Sequence, residues 1–130
     1  MPAAARPDHL VLMASSLERS DPYYAALLPL LGFVILKPGR WRSPWGFIIQ
    51  LHQAKPGTRG YERHGAGMNH LGFSVPSPDD AAAVKAGMAE RGFDVPEIQN
   101  LGGVTALFMK DPDGIRIEIS HFPPDIDANA

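Results

Sequence analysis

Two pairs of segments in the sequence resemble each other closely enough to be copies of one module. Residues 8–12 (DHLVL) match residues 69–73 (NHLGF), and residues 46–51 (GFIIQL) match residues 114–119 (GIRIEI). In each copy a histidine, His9 or His70, begins the first apolar run. When the second runs are aligned on their glycines, Gln50 falls on Glu118. The repeat predicts two related modules that carry metal-capable side chains at matching positions.

Each half of the chain is predicted to contain one strand, one helix and three further strands. Apolar residues recur at three- and four-residue steps in the first helix, and Ser77 followed by Pro78 is typical of the start of the second. The predicted strands cover residues 9–13, 33–36, 40–43 and 47–53, then 70–75, 94–99, 104–109 and 115–121, and the predicted helices cover 18–31 and 78–91. This order predicts an α+β fold of two βαβββ modules, paired to form a cupped mixed sheet.

The length and composition are those of a single domain with a substantial core. The chain has 130 residues, of which 45% are hydrophobic and 20% are charged. We expect module 1 at about residues 8–53, a linker loop and candidate lid at 54–68, module 2 at about 69–122, and a frayed tail at 123–130.

Charge and hydropathy exclude several kinds of partner. A formal net charge of −2 provides no basic field for nucleic acid or for an anionic membrane. No apolar run approaches the ~20 residues that span a bilayer, and residues 1–8 lack the apolar core of a signal peptide. The chain has no cysteine, so disulfides and thiolate ligands are excluded. We therefore expect a cytoplasmic protein whose partner is a small molecule.

Four side chains at matching positions of the predicted strands form a candidate ligand set. If each module curves its sheet, His9, Gln50, His70 and Glu118 would line one cavity. Two imidazoles, one amide oxygen and one carboxylate suit Fe(II), Mn, Co, Ni or Zn better than Ca or Mg. The alternative interpretation of Gln50 is a buried amide that bonds to the backbone and not to a metal ion. Without it, two histidines and one carboxylate remain, which is the ligand set of non-haem iron oxygenases.

This pattern resembles the vicinal oxygen chelate superfamily, which includes glyoxalase I, methylmalonyl-CoA epimerase, extradiol dioxygenases, and fosfomycin and bleomycin resistance proteins. The resemblance extends from about His9 to His121. Residues 108–118 (FMKDPDGIRIE) look like the final hairpin of that family, whose last glutamate is a metal ligand. His9 and His70 match the family's first-strand ligands. Gln50 matches a position that is Glu in many glyoxalases and Gln in the epimerase.

The resemblance implies a metal-dependent enzyme. One divalent metal ion (Fe, Ni, Zn, Mn or Co) would chelate two neighbouring oxygens of a small substrate. Glu118, or His52 on the Gln50 face, would then transfer a proton in a lyase, isomerase or epimerase step. The resemblance also implies a homodimer, with the site either within one chain or across a swapped dimer.

Two other functions are consistent with the sequence. An Fe(II) extradiol-type dioxygenase would use His9, His70 and Glu118 as its ligand triad. A binding protein of the bleomycin resistance type would sequester a cationic drug without metal. That protein would not need ligands in register, and a net charge of −2 is modest for trapping a cation. A fosfomycin-type thiol transferase ranks lowest, because no potassium loop or phosphonate-binding signature is recognisable.

Aromatic and basic side chains between the second and fourth predicted strands are candidates for a substrate pocket. Trp41 and Trp45, with Arg40 and Arg42, would wall such a pocket and hold a carboxylate. Tyr61 lies in the candidate lid. The alternative is an aromatic-capped hairpin with surface arginines.

Overall fold

The order βαβββ occurs twice in the structure, a computed structural model that describes residues 2–125. The chain divides into two compact units, Met1–Thr58 and Arg59–Ala130. The elements of the first unit are β1 His9–Ala14, α1 Leu17–Leu30, β2 Val34–Lys37, β3 Arg40–Arg42 and β4 Ile48–Gln53. Those of the second are β5 His70–Ser74, α2 Pro78–Glu90, β6 Gln99–Leu101, β7 Val104–Lys110 and β8 Arg116–His121. The predicted α+β fold with two βαβββ modules is confirmed.

Each unit contains one four-stranded mixed sheet with the same topology. The strand orders are β1-β4-β3-β2 and β5-β8-β7-β6. The first strand of each unit pairs in parallel with the last, and the remaining pairs are antiparallel. This topology places the strand that begins with a histidine directly beside the strand that carries Gln50 or Glu118.

Most of the buried apolar side chains of each sheet lie on one face. Helix α1 packs against β4, and α2 packs against β7 and β8. Ile49 and Leu51 are buried on β4, as are Ile117 and Ile119 on β8. Because side chains alternate along a strand, the residues between them project from the opposite face. The candidate ligands of β4 and β8 occupy those alternate positions.

The beginning of α1 is held by a side chain from the neighbouring strand. Ser16 takes the N-cap position, but its hydroxyl makes no capping bond. Gln53 Oε1 instead accepts from the Leu17 N–H (3.0 Å), and Gln53 Nε2 donates to the Ser15 carbonyl oxygen (2.7 Å). Helix α2 begins as predicted, since Ser77 Oγ accepts from the Asp80 N–H. The last residue of β4 therefore fastens the helix to the sheet.

Both helices end on a glycine in the same geometry. In each, the N–H of the residue after the glycine bonds to a carbonyl oxygen five residues earlier, at 3.0 Å in the first unit and 3.1 Å in the second. Gly32 and Gly92 have φ of +86° and +87°, a region that glycine adopts at little cost. Pro29 lies inside α1, yet α2 ends identically without a proline. The glycine therefore accounts for this ending.

The turn that precedes the last strand is also built alike in the two units. Asp111 Oδ1 accepts from backbone N–H groups two and four residues further on (2.8 and 2.9 Å). Ser43 Oγ accepts from the equivalent groups in the first unit (3.2 and 2.9 Å). The glycine three residues after each of them donates its N–H back to the Asp111 or Ser43 carbonyl oxygen. The repeat visible in the sequence is thus a repeat of hydrogen bonds.

The strand predicted at residues 94–99 is misplaced, since β6 covers Gln99–Leu101. Pro96 has no N–H to donate to a sheet. Lys85 Nζ on α2 lies 3.3 Å from the Val95 carbonyl oxygen and 3.0 Å from that of Pro96. These carbonyls therefore bond to a helix side chain in place of a neighbouring strand.

Most of the tail predicted at residues 123–130 lies outside the described residues. Over residues 2–125, neither helix is long and apolar enough to cross a membrane.

Replacing Asp111 is expected to destabilise the second unit. Asp111 is 6% exposed, and Asp111→Ala leaves two backbone N–H groups without their acceptor. We expect a loss of about 1–3 kcal/mol in the free energy of unfolding, measured by urea denaturation followed by circular dichroism. Asp94→Ala, at an exposed position of the same unit, is the control. Equal effects of the two substitutions would contradict the role given to the Asp111 turn.

Candidate functional site

In the first unit, the candidate ligands share the face of the sheet opposite the core. Val11 on β1 pairs with Gln50 on β4, and His9 lies two residues before Val11 on the same face. His9 and His52 are exposed, and Gln50 is half-buried. His52 Nε2 donates to Gln50 Oε1 at 3.3 Å. This face therefore presents one imidazole, one amide and a second imidazole bonded to that amide.

The second unit places a histidine and a carboxylate together at the equivalent positions. Gly72 on β5 pairs with Glu118 on β8, and His70 lies two residues before Gly72. His70 Nε2 is 3.9 Å from Glu118 Oε1. The other carboxylate oxygen, Oε2, accepts from Ser120 Oγ at 2.9 Å. One oxygen of Glu118 is thus fixed by a buried hydroxyl, and the other faces the histidine.

The two strand-start histidines are oriented by the residue before them. His9 Nδ1 lies 2.8 Å from Asp8 Oδ2, and His70 Nδ1 lies 2.8 Å from Asn69 Oδ1. Both oxygens can only accept, so Nδ1 is the donor in each pair. In the neutral imidazole the available lone pair is then on Nε2. Both histidines are therefore prepared to bind a cation through Nε2.

Asn69 also connects His70 to the preceding loop. Its Nδ2 donates to the Arg63 carbonyl oxygen at 2.9 Å and lies 3.4 Å from His64 Nδ1. Because the amide nitrogen faces the loop, the amide oxygen faces His70. The Tyr61 hydroxyl lies 2.6 Å from the Asn69 carbonyl oxygen, to which it donates. The loop thereby supports the orientation of the His70 ring.

Taken alone, each unit offers one pair of ligands. His9 with Gln50 provides a nitrogen and a neutral oxygen, and His70 with Glu118 provides a nitrogen and an anionic oxygen. Among residues 2–125, no group of three or more histidine, aspartate or glutamate side chains is arranged to hold a metal ion. The pairs are related by the repeat, and Glu118 carries the only formal negative charge among the four side chains.

The predicted pocket residues differ in the face of the sheet that they occupy and in their exposure to solvent. Arg40 on β3 pairs with Gln50 and shares its face, whereas Trp41 pairs with Ile49 in the core and is 5% exposed. Trp45 projects from a turn and is 85% exposed. Adjacent residues of a strand face opposite ways, so Arg40 and Trp41 do not line one pocket. Tyr61 lines a pocket of about 260 Å³ within the loop, together with Arg59, Gly60, Glu62, Gly65, Ala66 and Met68.

Three polar residues at the site were not anticipated from the sequence. Asp8 and Asn69 hold the histidines, and Ser120 holds Glu118. A usable signal was present for the first two, since an Asp or Asn precedes the strand-start histidine in both copies of the repeat. Ser120 follows Glu118 by two residues and so shares its face.

Comparison with known proteins identifies the family. The family model of the glyoxalase/bleomycin resistance protein/dioxygenase superfamily matches residues 6–119. The chain belongs to this superfamily. The resemblance inferred from the two histidines and the final hairpin is therefore confirmed. No curated protein matches the chain in a sequence search.

Solved structures of the superfamily share the fold. The glyoxylase/bleomycin resistance protein/dioxygenase domain from Frankia sp. EAN1pec has 23% identity and a TM-score of 0.79, with 95% of this chain and 96% of that chain covered. A glyoxalase/bleomycin resistance protein from Albidiferax ferrireducens T118 has 25% identity and a TM-score of 0.68, covering 89% and 98%. A glyoxalase/dioxygenase from Nostoc punctiforme has 18% identity and a TM-score of 0.68, covering 91% of each chain.

Proposed function

We propose that this glyoxalase-superfamily protein is a metal-dependent enzyme that transfers a proton on a small substrate with two neighbouring oxygens. The observation that carries the proposal is the matched orientation of His9 and His70. Each ring has Nδ1 held at 2.8 Å by the preceding side chain, which leaves Nε2 available. Hydrogen bonds of this kind orient the histidine ligands of metal sites. The arrangement occurs in both copies of the repeat, which supports a function for it.

The donor chemistry fits a divalent transition metal. His9, His70 and Glu118 would be ligands, with Gln50 as a fourth. Imidazole and carboxylate together suit Fe, Ni, Zn, Mn or Co. Proteins of this superfamily typically bind a divalent metal ion. When bound, the ion would act as a Lewis acid toward two adjacent substrate oxygens.

The remaining chemistry belongs to side chains of the chain itself. Glu118 Oε2 is held by Ser120, so the carboxylate has a defined orientation for accepting a proton. His52 is the alternative base, since its ring lies on the same face as Gln50 and is exposed. A Cβ built on Gly72 meets nothing within 4 Å, so there is open space beside Glu118 for a substrate. Val11 and Met13, 44% and 47% exposed, offer apolar contact on the His9 face.

Proton exchange on a simple probe tests the proposed reaction. Hydroxyacetone has a carbonyl beside a hydroxyl and exchangeable protons on the carbon between them. In D₂O, nuclear magnetic resonance is expected to show metal-dependent deuterium incorporation at that carbon, and Glu118→Gln is expected to abolish it. Gln53→Ala, which alters the α1 attachment and no candidate ligand, is the control. Exchange that persists in Glu118→Gln and in a His52→Ala variant would contradict the assignment of the base.

One observation favours a second candidate, an Fe(II) extradiol-type dioxygenase. The Oε1 atom of Gln50 already accepts a hydrogen bond from His52. If that bond persists, two histidines and one carboxylate remain as ligands, which is the set of non-haem iron oxygenases. Oxygen uptake is measured with the Fe(II)-loaded protein and catechol. Uptake would favour the dioxygenase over the proton-transfer enzyme.

Removing the partner of His70 is expected to weaken metal binding without removing a ligand. Asn69→Leu deletes the oxygen that accepts from Nδ1, and losing the hydrogen-bond partner of a metal ligand costs about 10–100-fold in metal affinity. Asn69→Asp keeps an oxygen acceptor, as Asp8 does for His9, and is expected to retain most of the affinity. Equilibrium dialysis with Zn²⁺ or Ni²⁺ measures both variants. Equal affinities of Asn69→Leu and the unmodified protein would contradict the positioning role.

Superfamily proteins often act on small molecules and form dimers. We therefore propose that the protein is a homodimer. Its cytoplasmic location stays a prediction from the sequence. Sedimentation equilibrium, which gives the mass independently of shape, is expected to show twice the chain mass of 14.1 kDa. A mass equal to that of one chain at all concentrations would contradict the dimer.

A further inference from the structure

The face of the first unit that carries His9 and Gln50 also carries two arginines. Arg40 pairs with Gln50 across β3 and β4, and Arg42 pairs with Ile48. Side chains of paired residues lie on the same face of a sheet, about 5 Å apart at Cβ. Arg40 is therefore a direct neighbour of the candidate ligand Gln50, and its charge belongs to the face described above.

No carboxylate balances this charge on the face. The other residues there are neutral or basic, namely His9, Val11, Met13, Val34, Lys37, Ile48, Gln50 and His52. Asp8 precedes β1 and is bonded to His9. Within residues 2–125, the ion pairs involve His9, His70, Arg59 and Lys85, and neither Arg40 nor Arg42 takes part in one. The face is thus complementary to an anion.

The Arg40 side chain also has an unsatisfied donor. Its Nε is buried and has no hydrogen-bond partner among the described residues, although the residue as a whole is only half-buried. A buried N–H of a charged group without an acceptor is costly, and such groups normally have one. A guanidinium presents its N–H groups in a planar fork that matches the two oxygens of a carboxylate. Arg40 is half-buried and makes no ion pair among residues 2–125, so the accessible nitrogens of its guanidinium are available to a substrate carboxylate.

We infer that Arg40 binds a carboxylate of the substrate, so that the natural substrate is a small organic acid with two neighbouring oxygens apart from that carboxylate. The inference rests on the proposed function for the neighbouring oxygens and on Arg40 alone for the acid group. Arg40 is then a residue that determines specificity. It discriminates acids from neutral molecules that offer the same pair of oxygens.

Arg42 provides a matched control on the same strand. It has the same charge and the same face, but it pairs with Ile48 and is exposed. Its Nη2 lies 3.8 Å from the position that a Cβ on Gly46 would take, so the side chain extends toward the turn at residues 43–46. Loss of Arg42 changes the net charge as loss of Arg40 does, without removing the donor beside Gln50.

Two probes that differ by one carboxylate test the inference. Catechol has two neighbouring hydroxyls, and 3,4-dihydroxybenzoate has the same pair with a carboxylate. Isothermal titration of Zn²⁺-loaded protein avoids redox turnover. The unmodified protein is expected to bind the acid about tenfold or more tightly than catechol, by analogy with charged hydrogen bonds. Arg40→Met is expected to lose that preference, and Arg42→Met is expected to keep it.

Equal binding of the two probes, no binding of either, or equal losses in Arg40→Met and Arg42→Met would overturn the inference. If Arg40→Met does not fold, as judged by circular dichroism, Arg40→Lys keeps the charge without the fork and is expected to retain less than half of the preference in free energy. Zinc uptake is measured separately. Its absence contradicts the proposed enzyme, whereas an Arg40-dependent preference for the acid in metal-free protein supports the subsite independently.

Discussion

Glu118→Ala is expected to lower the metal affinity by more than about 100-fold, because losing the hydrogen-bond partner of a ligand already costs about 10–100-fold and this substitution removes a ligand itself. It also removes the only anionic side chain of the proposed set. The fold is expected to survive, since the Glu118 side chain is 22% exposed and its partners are two side chains and no backbone group. Isothermal titration with Zn²⁺ or Ni²⁺ measures the affinity.

Two further variants separate the loss of the ligand from the loss of a hydrogen bond. Glu118→Gln keeps an acceptor for Ser120 Oγ and reproduces the side chain of Gln50 in the other unit, yet it is expected to lose nearly as much affinity as the alanine variant. Gln50→Ala is expected to lose less, because a neutral amide oxygen is the weaker ligand. Full metal occupancy of Glu118→Ala would contradict the site.

Replacing Ile117, which is next to Glu118 on β8, is expected to lower the stability of the fold and not the metal affinity. Ile117 is 0% exposed and packs in the core between its strand partners Leu71 and Met109. Ile117→Ala leaves a cavity and is expected to lower the free energy of unfolding by about 2–5 kcal/mol. Both tryptophans lie in the first unit, so far-ultraviolet circular dichroism is a better probe of this change than fluorescence.

Ile35→Ala is the matched control for Ile117→Ala. Ile35 lies on the edge strand β2 and is 55% exposed, so its truncation is expected to change stability by no more than about 0.5 kcal/mol. Urea denaturation with an unchanged m value supports a comparison of the two. A loss in Ile117→Ala as small as that in Ile35→Ala would contradict the placement of this β8 face in the core.

The elements that could be predicted are those with strong local signals. The Ser77–Pro78 start of α2 and the turn at residues 111–114 contain residue types whose backbone preferences agree with the final structure. The internal repeat extended that information, because an assignment in one half supported the same assignment in the other. The strand at residues 94–99 was misplaced because Lys85 on α2 bonds to the carbonyl oxygens of Val95 and Pro96. The sequence pattern gives no sign of these side-chain bonds.

The positions of the candidate ligands in the strands could be predicted from the sequence, but the surroundings of their side chains could not. Alternation along a strand indicates that Arg40 and Trp41 face opposite ways, but only the pairing with β4 shows that Trp41 faces the core. In the same way, the sequence indicates His9 and His70, whereas their orientation depends on side-chain bonds to Asp8 and Asn69. Such bonds depend on rotamers, for which periodicity contains no information.

The most direct test of the central claim is the metal content of protein purified without chelators or a metal affinity column, with the protein concentration measured in parallel. Each chain carries one His–Gln pair and one His–Glu pair, which together provide the proposed ligands of one ion. We therefore expect about one equivalent of Fe, Ni, Zn, Mn or Co per chain, either as purified or after reconstitution. No binding of any of these ions after reconstitution would contradict it and would favour a metal-free binding protein.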